Sequence, residues 1–372
     1  MKNILVMFGG DSVESDVSVI SATIALSGLD MNKYKAFPIY IKNGKFYLVK
    51  NSVAADISTY TSFDKKSMKE VFISDRELYQ VGKFKNKLIA FIDCALLVTH
   101  GGVGENGGLQ GFLEMNNIPY TSSGIMSSSI CMDKALTHKL TKAFDIPTID
   151  YYVVDNKTSA MEARCIFEKL DKSVVVKPNS LGSSIGIRVC NSERELFSAI
   201  AEGFRYDEKV IIEKRVDNLA EINIALFEDM DSLVVSNSEI VSCSEFFDFE
   251  SKYIKGGEKE DIEVPMSISE NVKKWSIEIY RNLALSGVVR IDYLYNRESG
   301  EIYLNEINTI PGSLAYYLFD KLGYDITDIT DKMIETSMAK YDKSKLLVKS
   351  FSSSILTIRE NNSSKLLQKI HK

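Results

Sequence analysis

Residues 3–26 read NILVMFGGDSVESDVSVISATIAL. Ile4–Phe8 is a short apolar run that stops at Gly9-Gly10, as a buried strand closed by a glycine turn does. Asp11 and Glu14 then sit three apart ahead of Val17, Val19, Ile20, Ile24 and Leu26, which recur at helical spacing. The opening unit is therefore strand, glycine turn, helix. It recurs downstream: Ala95–Thr99 is an apolar strand, Gly101–Gly108 a glycine cluster and Leu109–Met115 a helix. With Lys35–Ile41 as a further strand, and 43–86 as polar hairpin and loop, residues 1–124 are expected to form an α/β domain on a parallel sheet. The opening apolar run is shorter than the ~7–15 residues of a secretory leader's core, and no A-x-A site follows, so a cytoplasmic location is expected.

The pattern changes near residue 125. Ile130, Met132, Leu136, Leu140 and Phe144 predict one helix ending before Pro147. Val174–Lys177 and Ile185–Cys190 read as strands flanking Ser180–Ser184, followed by a helix at Glu193–Phe204 and a strand at Val210–Lys214. These joins look antiparallel, so 125–216 is expected to be an α+β unit. A third unit, 217–349, opens with Ile222, Ile224 and Leu226 alternating with Glu221, Asn223 and Ala225, as in a half-buried strand. Leu233–Ile240 is another strand, 242–262 a long charged loop and Trp275–Leu285 part of a helix. Val288–Tyr295 and Glu301–Asn305 form a hairpin. Residues 350–372 are a polar tail with one apolar cluster and no assigned role.

The bulk properties exclude several classes. A length of 372 residues suggests two or three domains, and 45% hydrophobic with 26% charged residues is a globular composition. No run approaches the ~18 apolar residues of a membrane helix, so no membrane partner is expected. The net charge of −6 argues against nucleic acid as a partner. Five cysteines without a CxxC pair, and three histidines without HExxH, make zinc an unlikely ligand and the thiols reduced, mostly buried hydrophobes.

Four constellations carry chemistry. Gly102-x-Gly104-x-x-Gly107 matches a dinucleotide fingerprint, but the acid expected ~20 residues on is missing. Ser127-Ser128-Ser129 stands there, so the glycines are read as a tight turn beside a ligand. Arg290-Ile-Asp292 and Glu306-Ile-Asn308 each place two polar side chains on one face of a strand, since i and i+2 share a face. Two carboxylates and an amide oxygen suit a hard cation such as Mg²⁺, and Arg290 suits a phosphate or oxyanion. A salt-bridged polar sheet face is the alternative. Lys134, Lys177 and Lys252 are candidate phosphate contacts, or solvated lysines. Gly182-Ser183-Ser184-Ile185-Gly186 can fold backbone N–H groups over phosphate oxygens, or be a plain turn.

Taken in order, these pieces resemble one family. The set is Gly9-Gly10…Glu14, His100-Gly-Gly-Val-Gly-Glu105-Asn-Gly-Gly-Leu-Gln-Gly, Met132-Asp-Lys134, Lys177-Pro, Gly182-Ser-Ser, Glu213-Lys214, Phe246–Tyr253, Arg290-Ile-Asp292 and Asn305–Gly312. It is similar to the D-alanine–D-alanine ligases of the ATP-grasp superfamily, from residue 3 to about 320. The resemblance implies an α/β and α+β ATP-grasp fold, in which an N-terminal α/β domain precedes central and C-terminal domains that clasp ATP. It implies ATP-dependent formation of an acyl phosphate on one D-amino acid, which the amine of a second then attacks, in peptidoglycan precursor synthesis.

Residue by residue, Asp292, Glu306 and Asn308 match the ligands of two Mg²⁺ ions, for which Mn²⁺ can substitute. Lys134, Lys177, Lys252 and Ser184 match phosphate contacts. Glu213, Lys214 and Val216 match the adenine hinge, and Glu221 the ribose-binding acid. Glu14 matches the acid that holds the first substrate's ammonium, with Ser183 and Tyr253 as its partners under a lid loop. His100 lies beside that substrate, and Arg290 with the Gly312 N–H matches the oxyanion stabilisers. Small-molecule substrates and a homodimer are implied as partners.

One segment departs. After Pro311-Gly312 the family reads Met-Thr-x-His-Ser-Leu, and its Ser-Leu pair holds the acceptor carboxylate. Here Ser313-Leu-Ala-Tyr-Tyr317-Leu318 puts a phenol where the serine stands. The acceptor therefore either sits differently or is another amino acid, such as D-serine. Lys252-Tyr253 is retained, which favours an amine acceptor over a hydroxy acid. Ser15 replaces a bulky basic residue after the glutamate, so the first-substrate pocket can differ as well.

Overall fold

A computed structural model describes residues 1–63, 66–241, 264–348, 353–356 and 359. Its first sheet has seven strands: β1 (Lys2–Gly9), β2 (Tyr34–Lys42), β3 (Lys45–Val49), β4 (Met68–Ser74), β5 (Glu77–Gln80), β6 (Lys87–Phe91) and β7 (Cys94–Leu97). They lie in the order β6-β5-β4-β3-β2-β1-β7. Ile4–Phe8 is fully buried, as a central strand covered on both faces must be. The expected parallel sheet is found around β1, which pairs in parallel with β2 and β7, but the strands from β2 outward are antiparallel.

The reason is local. Asn43-Gly44 joins β2 to β3 with both residues at positive φ, 51° and 67°. Such a two-residue turn can connect only antiparallel neighbours. The stretch 43–86, read as hairpin and loop, thus supplies three further strands.

The second sheet comprises β8 (Tyr151–Asp155), β9 (Val174–Pro178), β10 (Arg188–Cys190) and β11 (Lys209–Lys214), ordered β10-β9-β11-β8 and antiparallel throughout, as expected. Alternation divides its faces. Val174, Val176, Val210 and Ile212 pack with Phe167, Leu196 and Ala199 of the helices Ala160–Lys169 and Glu193–Gly203. Val175, Lys177, Ile211 and Glu213 take the other face. Ser159 and Glu162 form a capping box on the first of these helices. The single helix expected over 130–144 is instead two, Ile125–Met132 and Lys134–Lys142. Asp133 leaves helical geometry to cap the second one, accepting the Leu136 N–H at 2.9 Å.

The third sheet holds β12 (Leu219–Asp229), β13 (Ser232–Val235), β14 (Glu239–Val241), β15 (Val289–Asn296) and β16 (Ile302–Asn308). Its order is β13-β12-β15-β16, with β14 also on β12. The strand read as Leu233–Ile240 is two strands, and that read as Ile185–Cys190 keeps only its end. Nor is β12 half-buried. Ile222, Ile224 and Leu226 join one core with Tyr280 and Tyr293. Ala225 and Phe227 join another, which runs from Ile4, Phe8 and Leu96 of the first sheet to Leu318, Phe319, Ile329 and Ile334. Cα proximity groups Met1–Met338 as one compact unit and Ala339–Lys372 as a second. The loop expected at 242–262 lies outside the described residues.

Candidate active site

The site grows from the third sheet's register. Asp292 lies opposite both Asn223 and Glu306, and Arg290 opposite Ala225 and Asn308. Strand parity therefore gathers Arg290, Asp292, Glu306 and Asn308 on one face, as the sequence predicts. Asp292 is fully buried. It receives Arg290 Nε and Nη2 at 2.7 Å each, and Asn308 Nδ2 at 2.9 Å. With its amide nitrogen turned toward the acids, Asn223 reaches Asp292 Oδ1 and Glu221 Oε1, both at 2.9 Å. Burial pulls on the Arg290 proton, but the Asp292 charge outweighs it and holds the guanidinium well above its ordinary range.

A cavity of about 480 Å³ lies between this sheet and the second. Lys134, Lys177, Ser184, Glu213, Lys214, Val216, Glu221 and Glu306 all line it. Lys177 Nζ meets Glu213 Oε2 at 2.7 Å and Asn305 Oδ1 at 3.3 Å. Lys134 Nζ donates to the Leu181 carbonyl at 2.5 Å and stands 3.7 Å from Glu306 Oε2. Lys214 turns its ammonium outward, to Asp171 at 2.7 Å, leaving its backbone to the cavity. Glu213 Oε1 is buried and has no hydrogen-bond partner among the described residues. A buried acceptor of this kind costs about 1–3 kcal/mol until a donor reaches it. The exocyclic amine of adenine is such a donor.

A second cavity, of about 610 Å³, shares Glu221 and Glu306 with the first. Glu14, His100, Ser183, Arg290, Asn308, Gly312 and Tyr317 line it. Glu14 sits just ahead of the helix Ser15–Ser27 and accepts the Ser183 hydroxyl. A Cβ on Gly182 would stand 2.8 Å from Glu14 Oε1, so glycine leaves the Glu14 carboxylate its place beside Ser183. Ser183 and Ser184 are left-handed, at φ 56° and 57°, which turns this loop over the cavity. His100 Nε2 pairs with Ser21 Oγ at 2.8 Å, and burial lowers its pKa to about 4, so the ring is neutral.

Two acids in this cavity escaped assignment from sequence. Glu239 comes from β14. Glu105 accepts N–H bonds from Gly101 at 3.0 Å and Ile310 at 3.1 Å. Burial, then the charge of Glu14, raises Glu105 to about 7. The signal was present, since Glu105 lies inside the glycine cluster that was read only as a turn.

The departing segment forms a tight turn, Gly312–Leu318, with Ser313, Leu314 and Ala315 left-handed at φ 52°, 55° and 46°. Left-handed geometry costs ~1–2 kcal/mol per non-glycine residue. It is held by the burial of Leu314 and Ala315 and by the bond from the Ser313 N–H to Ser21 Oγ at 2.8 Å. Tyr317 and Arg290 line the same cavity, and the guanidinium's charge opposes the burial that raises the phenol's pKa. Leu318 belongs to the core and does not line the cavity. Lys252 and Tyr253 lie outside the described residues.

Among the described residues no three His, Cys, Asp or Glu side chains form a metal-holding group. The cation set is two carboxylates and an amide, and its all-oxygen chemistry fits Mg²⁺.

The chain is similar to known proteins along most of its length. The family described as "D-ala D-ala ligase N-terminus" matches residues 3–123, and "D-ala D-ala ligase C-terminus" matches 140–335. A D-alanine–D-alanine ligase of Thermosipho africanus is 35% identical over 370 residues, covering 96% of this chain and 99% of its own. Among solved structures, the D-alanine–D-alanine ligase of Bacillus anthracis complexed with ATP is 27% identical, with a TM-score of 0.66, covering 92% of this chain and 99% of its own. The VanG D-Ala:D-Ser ligase of Enterococcus faecalis is also 27% identical, with a TM-score of 0.75 and coverage of 90% and 99%.

Proposed function

The chain belongs to the D-alanine–D-alanine ligase family, whose fold is the ATP-grasp, and we propose that it uses ATP to join two molecules of D-alanine for peptidoglycan precursor synthesis. The observation that carries this reading is the pair of cavities meeting at Glu306 and Glu221. One is lined by buried lysines and an orphaned acceptor, the other by a buried glutamate and a guanidinium.

ATP occupies the first cavity, with adenine against Glu213, Lys214 and Val216, ribose at Glu221, and phosphates under Lys134, Lys177 and Ser184. Lys252 belongs to this set by resemblance. Asp292, Glu306 and Asn308 hold Mg²⁺, which neutralises phosphate charge and aligns the transferring group when bound. The donor D-alanine lies in the second cavity with its ammonium on Glu14, which Ser183 orients and Tyr253 joins by resemblance. Its carboxylate oxygen attacks the γ-phosphorus and ADP leaves. The amine of the acceptor then attacks the acyl carbon, and the C–O bond to phosphate breaks. Dipeptide, phosphate and one proton are released. Arg290 and the Gly312 N–H take the charge that builds on the carbonyl oxygen. Neutral His100 adds no competing positive charge beside the donor ammonium.

The division 1–124, 125–216 and 217–349, a homodimer and a cytoplasmic location complete the proposal. No helix among the described residues is long and apolar enough to cross a membrane. An acceptor other than D-alanine is the second reading, resting on Tyr317, which lines the second cavity with Arg290.

ADP release with Mg²⁺ across D- and L-amino acids and D-lactate, with products weighed, tests both. D-alanyl-D-alanine from D-alanine alone is expected. Turnover only with D-serine or another acceptor moves the assignment to that acceptor. Wild-type activity in both Asp292→Ala and Glu306→Ala would refute the metal site.

A further inference from the structure

Ser21 is buried midway along the helix Ser15–Ser27, seven residues after Glu14. Its single oxygen meets two groups from distant parts of the chain. One is His100 Nε2 at 2.8 Å, the other the backbone N–H of Ser313 at 2.8 Å. A hydroxyl has one proton to give and lone pairs to receive with. If the imidazole carries its proton on Nδ1, Ser21 donates to Nε2 and accepts from Ser313, and each partner is used once. The Ser313 N–H belongs to the peptide that follows Gly312, so this bond fixes where Gly312 points. It also anchors the first residue of a turn that runs left-handed through Ser313, Leu314 and Ala315 and continues to Tyr317, which lines the cavity with Arg290.

We propose that Ser21 is a positioning residue for the second half of the reaction: relayed from His100, it holds the Gly312–Tyr317 turn in the geometry that receives the acceptor and the developing oxyanion. The inference rests on the ligase reading above. It separates the two halves by residue. Glu14, which accepts the Ser183 hydroxyl, seats the donor's ammonium, whereas Ser21 bonds His100 and the acceptor turn.

The two halves read out independently. Donor activation is followed by heavy-oxygen scrambling within the triphosphate of ATP in the presence of D-alanine, and the second half by dipeptide release. In Ser21→Ala, dipeptide formation at limiting acceptor is expected to fall about tenfold or more, as a displaced catalytic segment allows. Scrambling should stay within about twofold of wild type. Ser21→Thr keeps the hydroxyl and should recover most of the dipeptide rate. Ser21→Cys, similar in size but a poor hydrogen-bonding group, should reproduce the selective loss.

Equal loss of scrambling and dipeptide in Ser21→Ala and Ser21→Cys, with ATP binding retained, overturns the proposal. So does a wild-type rate in either. If Ser21→Ala is too unstable to bind ATP, the ratio in Ser21→Cys decides. A wild-type chain that neither scrambles nor forms dipeptide overturns the ligase reading and this inference with it; a wrong role for Ser21 alone shows only in the ratio of variant to wild type.

Discussion

Replacing Glu105 with Gln should change how stability depends on pH, because two groups lining the second cavity titrate in opposite senses. Burial, followed by the charge of Glu14, raises Glu105 from 4.5 to about 7. Burial lowers His100 from 6.5 to about 4. Between 4.5 and 7 the folded chain keeps a proton on Glu105 that the unfolded chain has released. That contribution is complete below 4.5 and is lost as pH rises to 7. For His100 the unfolded chain binds the proton first. Its contribution is complete above 6.5 and is lost as pH falls to about 4. At about 1.4 kcal/mol per pH unit, each is worth roughly 3 kcal/mol over its window. Where the windows overlap the slopes cancel, and wild type should show little pH dependence from this pair.

Glu105→Gln removes one slope and leaves the other. The amide still accepts from Ile310 but no longer from Gly101, a pH-independent cost of about 1–2 kcal/mol. Urea unfolding followed by circular dichroism, from about pH 4.5 to 7.5, gives the difference between variant and wild type. That difference should rise by about 3 kcal/mol in favour of the variant as pH increases. A difference that stays flat to within about 0.5 kcal/mol refutes the opposed titrations.

Lys177→Met strips the buried Glu213 of its ion-pair partner, so it should cost about 3–5 kcal/mol of stability in thermal or urea melts, and ATP binding should weaken with it. Adding Glu213→Leu should return most of the stability and none of the ATP affinity, read by calorimetry. Gly182→Ala pushes Glu14 off Ser183, so the donor KM should rise about tenfold while ATP affinity stays within about twofold. Glu306→Gln should lower the apparent Mg²⁺ affinity about 10–100-fold in a metal titration of ADP release.

Much of this was legible in the sequence because periodicity carries it. The i, i+2 spacing of Arg290 with Asp292 and of Glu306 with Asn308 fixes a shared face, and the register joins the two pairs. Lys177 and Glu213 were each singled out, but their pairing depends on how β9 and β11 align, which spacing does not encode. Asn43-Gly44 is itself an antiparallel-turn signal, but the polar stretch around it reads as hairpin and loop rather than as three strands. The break at Asp133 was hidden because apolar residues continue at helical spacing across it, although Asp133 is a good N-cap. Glu239 and Ser21 carry no local signal. Their places come from a strand pairing and from a turn near residue 313, and both are tertiary facts.

The core that holds Ile4, Phe8 and Leu96 is completed by Leu318, Phe319, Ile329 and Ile334. During synthesis β7 emerges long before the helix Ile326–Ser344. At ~5–20 residues per second the gap is on the order of 10–45 s. Through that interval the newborn first sheet lacks part of its cover and offers apolar surface to chaperones or to a neighbouring nascent chain. A nonsense codon anywhere before Ile329 would therefore harm the beginning of the protein as much as its end. The matched segment 3–123, expressed alone, should be sticky rather than a miniature of the whole.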